Sequence, residues 1–358
     1  MRIARRDFIL GGLAMPVVAW ASSHSLHAAP LAAEKKDPLW FVDPELRPFA
    51  VEIQAAFRSQ PPFGLDTLAA LRSGPKPWVR PALTNVSVAK NVLRAKGNTP
   101  DVTIYVINAK AGSRRAGILH THGGGFVLGS AADSIFDLQN LATELDCAIV
   151  TVDYRLAPET TYAGSIEDNY AGLRWLYAHA EEVGVDRTRI AVMGESAGGG
   201  HAALLAITAR DRGEVPIAFQ CLIYPMLDDR TGSTKQVPAP IGTILWTAED
   251  NRFGWRSFLG QEPGGPAVPS KAVPARLDSL KGLPPAFIGV GAIDLFVQED
   301  IVYAQRLIDA SVPTQLLVMP GAFHGFDAVG SGTRIGKAFN SMKIDALRRA
   351  LGSTADKP

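Results

Sequence analysis

Only two cysteines, Cys147 and Cys221, occur in 358 residues. Each lies inside an apolar run, DCAIVTVDY and FQCLIYP, so the sequence predicts buried core thiols and no disulfide framework. Charge of one sign is missing too. With 36 Lys and Arg against 35 Asp and Glu, the chain has no basic excess of the kind nucleic-acid binding requires, and small neutral partners are expected instead. Repeats and low-complexity tracts are absent. The composition, 47% hydrophobic and 20% charged, excludes a disordered chain and suits a soluble protein with a large core. A membrane-spanning run is lacking as well: the apolar stretch from Phe8 to Trp20 is too short and is broken by Gly11, Gly12 and Pro16, so no stable membrane anchoring is expected.

That N-terminal stretch carries its own signal. Arg5-Arg6-Asp7-Phe8 precedes the apolar run, and Ala19-Trp20-Ala21 offers an A-x-A cleavage match, with His27-Ala28-Ala29 as a rival. Residues 1–21 therefore read as a twin-arginine-type signal peptide, which implies export to the periplasm or beyond and a mature net charge near −1.

From about residue 84 to 358 the chain alternates β-rich runs with helix-length segments. Eight strand candidates stand out: NVSVAK, DVTIYVIN, AGILHTH, AIVTVDY, RIAVMGE, AFQCLIYP, AFIGVGA and TQLLVMP. Apolar strands separated by helices predict an α/β fold with an eight-stranded, mostly parallel sheet flanked by helices, its first two strands able to pair antiparallel. Residues 34–83 and an insertion at about 228–283 fall outside this rhythm. Both are rich in aromatics, and the expectation is a helical cap over the carboxyl ends of the strands, where open α/β sheets bind ligands.

The stretch AGILHTHGGGFVLGS ends a strand in Gly123, Gly124 and Gly125, each glycine costing up to about 1 kcal/mol against alanine in regular structure. Three explanations compete. A phosphate loop lacks its G-x-x-x-x-G-K-[ST] or G-x-G-x-x-G signature. A metal site on His120 and His122 lacks a nearby third ligand, so no metal is expected. The remaining explanation is a loop whose bare N–H groups face an anion formed in a reaction, with His122 ordering the loop.

The reaction is suggested by Gly194-Glu195-Ser196-Ala197-Gly198, a G-x-S-x-G match between a strand and a helix. A strand reversing into a helix at one residue holds Ser196 out at the sheet edge and aims the Ala197 N–H at whatever bonds to it. A serine nucleophile needs a base, and the base needs an acid to fix its tautomer. Among seven histidines, His324 follows the last strand in a glycine-flanked loop, where a base can reach above the sheet; His201, on the helix after Ser196, is expected to pack or meet solvent. Asp294, closing AFIGVGAID, is the matching acid. Glu299 and Asp300 look helical, and Asp327 is too close in sequence to reach His324. Catalytic Ser196, Asp294 and His324, with oxyanion donors from Gly123, Gly124, Gly125 and Ala197, form the expected site.

His122-Gly-Gly-Gly125, Tyr154-Arg-Leu-Ala-Pro-Glu159, Gly194-Glu-Ser-Ala-Gly198, Asp294 and His324-Gly-Phe326 together resemble the hormone-sensitive-lipase-like branch of the α/β-hydrolases. The resemblance runs from about residue 84 to the C-terminus. It implies carboxylic-ester hydrolysis through an acyl-serine, without a cofactor, with Ala197, Gly124 and either Gly123 or Gly125 as the oxyanion hole. Glu195 stands where the family usually has Asp, and Leu295 where a proline usually follows the acid. Short- to medium-chain acyl esters are the expected substrates, because Trp246, Phe253, Trp255 and Phe258 read as one packed face walling off a compact acyl pocket. A non-catalytic small-molecule binding protein on the same fold is the alternative, with a metal-dependent hydrolase built on His120 and His122 behind it, and monomer or homodimer stays open.

Overall fold

The computed structural model describes residues 39–76, 79–94 and 100–352. The leader reading and its cleavage matches lie outside the described residues. Contacts divide the chain between Trp40 and Phe41, and the following concerns the second unit.

Eight strands form one sheet in the order β1-β2-β4-β3-β5-β6-β7-β8. They are β1 (Val88–Leu93), β2 (Val102–Ile107), β3 (Arg115–Thr121), β4 (Ala148–Asp153), β5 (Val185–Glu195), β6 (Phe219–Ile223), β7 (Ala286–Gly291) and β8 (Thr314–Met319). β2 runs antiparallel to both of its neighbours, and the pairings from β4 to β8 are parallel. Every residue of β3, β6 and β7 is buried, as strands covered on both faces must be. At the edge, β1 mixes partly buried and exposed positions.

The helices are α1 (Arg47–Ser59), α2 (Leu68–Ser73), α3 (Ile135–Glu144), α4 (Tyr162–Ala178), α5 (Ala180–Val183), α6 (Ala197–Arg212), α7 (Ala248–Leu259), α8 (Val297–Asp309), α9 (Phe326–Val329) and α10 (Arg334–Leu351). One face of the sheet is covered by α4, α6 and α8, whose Leu173, Leu205 and Leu307 share a core with Val150, Val192 and Ile288. α3 and α10 cover the other, tied by Arg348 to Glu144 at 2.9 Å. Cys147 and Cys221 are buried free thiols, as expected; loss of hydration pushes each up to about 12, so both are inert.

A second apolar cluster lies where the insertion meets the catalytic-face loops. It joins Leu68 of α2, Phe126 and Val127 after the glycines, Ala197 and Leu204 of α6, and Trp246, Trp255 and Phe258 of the insertion. Arg72 on α2 fixes this junction: its guanidinium donates to Val127 O and Ala157 O, both at 2.8 Å, and pairs with Glu159 at 2.6 Å. The start of α7 is a capping box in which the Thr247 side chain accepts from Asp250 N and Asp250 accepts from Thr247 N. Trp255 and Phe258 are fully buried and pack on Phe126, because the α7 positions they occupy face the core, while Trp246 and Phe253 pack on Phe63.

Candidate active site

β5 ends at Glu195 and α6 begins at Ala197, leaving Ser196 alone at the reversal with φ +57° and ψ −123°. A side chain held there costs about 1–3 kcal/mol and persists only where surrounding contacts fix it. Those contacts are present. Ser196 N–H donates to Ile223 O at 2.9 Å, and Ser196 O accepts from Met226 N and Gly200 N, each at 3.0 Å. The turn is also pressed against β3: a Cβ on Gly198 would stand 2.1 Å from Thr121 O, so only glycine fits.

The structure brings the three singled-out side chains into one buried chain. His324 Nε2 lies 2.9 Å from Ser196 Oγ, and His324 Nδ1 lies 2.8 Å from Asp294 Oδ2. A carboxylate only accepts, so Nδ1 carries the proton toward Asp294 and Nε2 accepts from the serine hydroxyl. Asp294 is itself oriented, since its Oδ1 accepts from Phe296 N at 2.9 Å. The missing proline at Leu295 leaves this geometry intact. Asp300, the rival acid, is fully buried and neither of its carboxylate oxygens has a hydrogen-bond partner; burial, then the charges of Glu299 and Asp294, push its carboxyl well above the usual range.

The glycine loop lies across from this chain. Among the described residues the N–H groups of Gly123, Gly124 and Gly125 donate to no protein acceptor, and the N–H of Ala197, first in its helix, lacks an intrahelical acceptor by construction. The glycines of this loop also have a packing reason. A Cβ on Gly124, where φ is +121°, would meet Leu128 O at 2.2 Å, and one on Gly125 would meet the Trp246 ring at 2.2 Å. Close packing of the loop on its own turn and on the insertion excludes side chains there.

The neighbouring histidines are otherwise engaged. His120 Nδ1 meets Thr151 Oγ1 and its Nε2 meets Glu195 Oε2, both at 2.9 Å. His122 Nδ1 donates to Gly123 O at 2.9 Å, and its ring stacks on Tyr154 at 4.2 Å. Burial lowers His122 to about 4 and His201, packed among Phe126, Tyr154 and Phe258, to about 3. Among the described residues no three metal-ligating side chains gather. The Tyr154-to-Glu159 motif supplies scaffold: Tyr154 OH donates to His122 O at 2.7 Å, and Arg155 forks onto Asp168 with two bonds of 2.8 Å.

Sequence reasoning missed the residues that hold His324 from the sides. Tyr224 and Phe296 present ring edges or faces to it at 4.8 and 5.3 Å. Tyr224 OH donates to Asp327 Oδ1 at 2.8 Å, which ties β6 to the loop that carries His324. Asp327, considered only as an acid for His324, thus has a partner 103 residues away.

A reversal of strand into helix around a strained serine, on an eight-stranded sheet with one antiparallel strand, defines a hydrolase class. A family profile described as the alpha/beta hydrolase fold matches residues 118–328. The chain belongs to that family, in its hormone-sensitive-lipase-like branch, and stands among the carboxylic ester hydrolases. It is 38% identical to Esterase LipI of Mycobacterium tuberculosis over 58% of this chain and 65% of that one, just under two thirds of LipI. Carboxylesterase NlhH of the same species is 35% identical over 65% of this chain and 73% of its own length. The solved structure of a Bacterial Heroin Esterase is 35% identical with a TM-score of 0.75, covering 88% of this chain and 99% of that one.

Proposed function

We propose that the chain hydrolyses short- to medium-chain acyl esters through an acyl-serine at Ser196. The observation that carries this reading is the hydrogen-bonded series Asp294, His324, Ser196 ending on a serine in a strained backbone. In the first half-reaction Ser196 Oγ attacks the ester carbonyl while His324 Nε2 takes its proton. Negative charge gathers on the carbonyl oxygen, which Ala197 N–H, Gly124 N–H and one flanking glycine N–H stabilise, at about 3 kcal/mol for each donor. His324 then protonates the departing alkoxide, and the imidazolium is stabilised meanwhile by Asp294. Water, deprotonated by His324, attacks the acyl-serine and returns the enzyme to its starting state.

The acyl range rests on the insertion. A lid that opens onto lipid shows a broad apolar outer face, and among the described residues none of the exposed large hydrophobics belongs to 228–283. That segment and the N-terminal helices serve as a cap over the strand ends, and the twin-arginine leader exports the chain. A fluorophosphonate probe tests the chemistry: adduct mapped to Ser196 and abolished in Ser196→Ala supports it, while an unlabelled, folded protein leaves a binding protein as the answer. On an acyl panel, kcat/KM should peak between about two and six carbons, since each further methylene gains about 0.8 kcal/mol only where apolar space buries it. A rate still climbing at twelve carbons would refute the size limit.

A further inference from the structure

The irregular stretch from Gly242 to Trp246 touches in turn the Asp294 loop, the His324 loop and the glycine loop. Gly242 N–H donates to Ile293 O at 3.0 Å, and a Cβ on Gly242 would meet Leu295 at 2.6 Å, so the stretch begins against the two neighbours of Asp294. Leu245 comes next. Its Cδ2 stands 2.9 Å from where a Cβ on Gly325 would be, beside His324. Trp246 follows and fills the space over Gly125 with its ring. Ser196 is bonded to His324, and a Cβ on Gly123 would stand 3.5 Å from its own Cβ.

The Leu245 backbone and the Trp246 side chain are fixed in place. Leu245 has φ +69°, a left-handed conformation that a leucine adopts only where its surroundings impose it. Trp246 Nε1 donates to Asn251 Oδ1 at 3.2 Å, and Asn251 Nδ2 donates to Thr231 O at 2.8 Å. Phe63 braces the same indole edge-on at 5.6 Å. Neither residue takes part in the proton relay.

We propose that Leu245 and Trp246 are specificity-determining residues, Leu245 limiting the alcohol half of the ester and Trp246 the acyl half. The assignment rests on the acyl-serine reading. A leaving alkoxide must come within hydrogen-bond reach of the group that protonates it, so the alcohol half lies on the His324 side, against Leu245. The carbonyl carbon is trigonal: its oxygen meets the N–H groups of the glycine loop, the leaving group lies beside His324, and the acyl substituent takes the third direction, on the side where Trp246 covers Gly125.

Two ester panels separate the roles: acetates of ethanol, butanol and benzyl alcohol, and ethyl esters from acetate to decanoate. Leu245→Gly suits the left-handed backbone and should raise the benzyl-to-ethyl acetate ratio of kcat/KM at least ten-fold without moving the acyl optimum. Trp246→Leu should lengthen the acyl optimum by at least two carbons and leave the alcohol ratio as it was. Where Trp246→Leu does not fold, by circular dichroism, Trp246→Phe is judged on the same criterion. Unmoved ratios in a folded Leu245→Gly protein, or an exchange of the two effects, would overturn the assignment. Fluorophosphonate labelling of the unaltered protein keeps the two readings apart: no adduct at Ser196 removes the acyl-serine itself, whereas an adduct with unmoved ratios removes only the roles given to Leu245 and Trp246.

Discussion

Ser196 and Asp300 show how differently two buried polar residues a hundred positions apart can matter. Ser196 and His324 share one proton, so Ser196→Ala and His324→Ala should each lower kcat by several orders of magnitude in steady-state assays while the melting temperature changes little. Asp294→Asn leaves His324 in the wrong tautomer and should cost about ten-thousand-fold by analogy with other triads. Burial raises the Asp300 carboxyl well above the usual range, and neither of its oxygens has a hydrogen-bond partner among the described residues; an amide is close to the neutral acid in size and charge. Asp300→Asn should therefore hold kcat within about three-fold, a limit far inside the range that loss of a triad acid spans. If Asp300→Asn were the crippling change, the acid would be misassigned. The residue scale is also where sequence is most legible, since G-x-S-x-G, the glycine run and a histidine after the last strand are short-range signals. Tyr224 and Leu245 carry no such signal: their partners, Asp327 and Gly325, lie about 80 to 100 residues away.

Among the elements, α9 is tied to its surroundings by side-chain bonds at Asp327. Tyr224 OH to Asp327 joins the end of β6 to the turn after His324, with Lys343 of α10 standing 3.5 Å from the other carboxylate oxygen. Tyr224→Phe leaves a buried carboxylate short of one donor, at a cost of about 1–3 kcal/mol. Urea titration should show that loss of stability, and kcat should fall while KM holds, because the imidazole loses orientation rather than the substrate its pocket. A KM rise with unchanged kcat would instead make Tyr224 a substrate contact. Strands were easier to read than the insertion for a physical reason. Buried strands are continuous apolar runs whatever their neighbours, and all eight were legible, β1 lying three residues later than the run NVSVAK suggested. The insertion holds one regular helix, and periodicity alone could not say that Trp255 and Phe258 face the core while Trp246 leaves the helix to meet Gly125.

For the molecule as a whole, acid should be destabilising through two imidazoles that are buried without charge. His122 and His201 are lowered to about 4 and about 3 by burial. Unfolding returns them to the ordinary value near 6.5, so their contribution to stability is full above about pH 6.5 and is lost as pH falls toward those folded values. Glu299 and Asp300, raised by burial, act in the opposite sense above the ordinary carboxylate range, so the comparison to make is between variants. His201→Leu should show a smaller drop in denaturation free energy between pH 6.5 and pH 3.5 than the unaltered chain. An equal drop would mean that His201 takes up its proton while folded.

The contact of Gly254 with Gly125 reaches beyond any one molecule. A Cβ on Gly254 would stand 2.6 Å from Gly125 O, while the Trp246 ring occupies the other side of the same residue. A side chain at 125 is excluded while 246 is tryptophan, and one at 254 is excluded by the Gly125 carbonyl. In an alignment of relatives that keep this insertion, a side chain at 125 should appear only together with a residue smaller than tryptophan at 246, and lineages should cross between the two states by paired replacements.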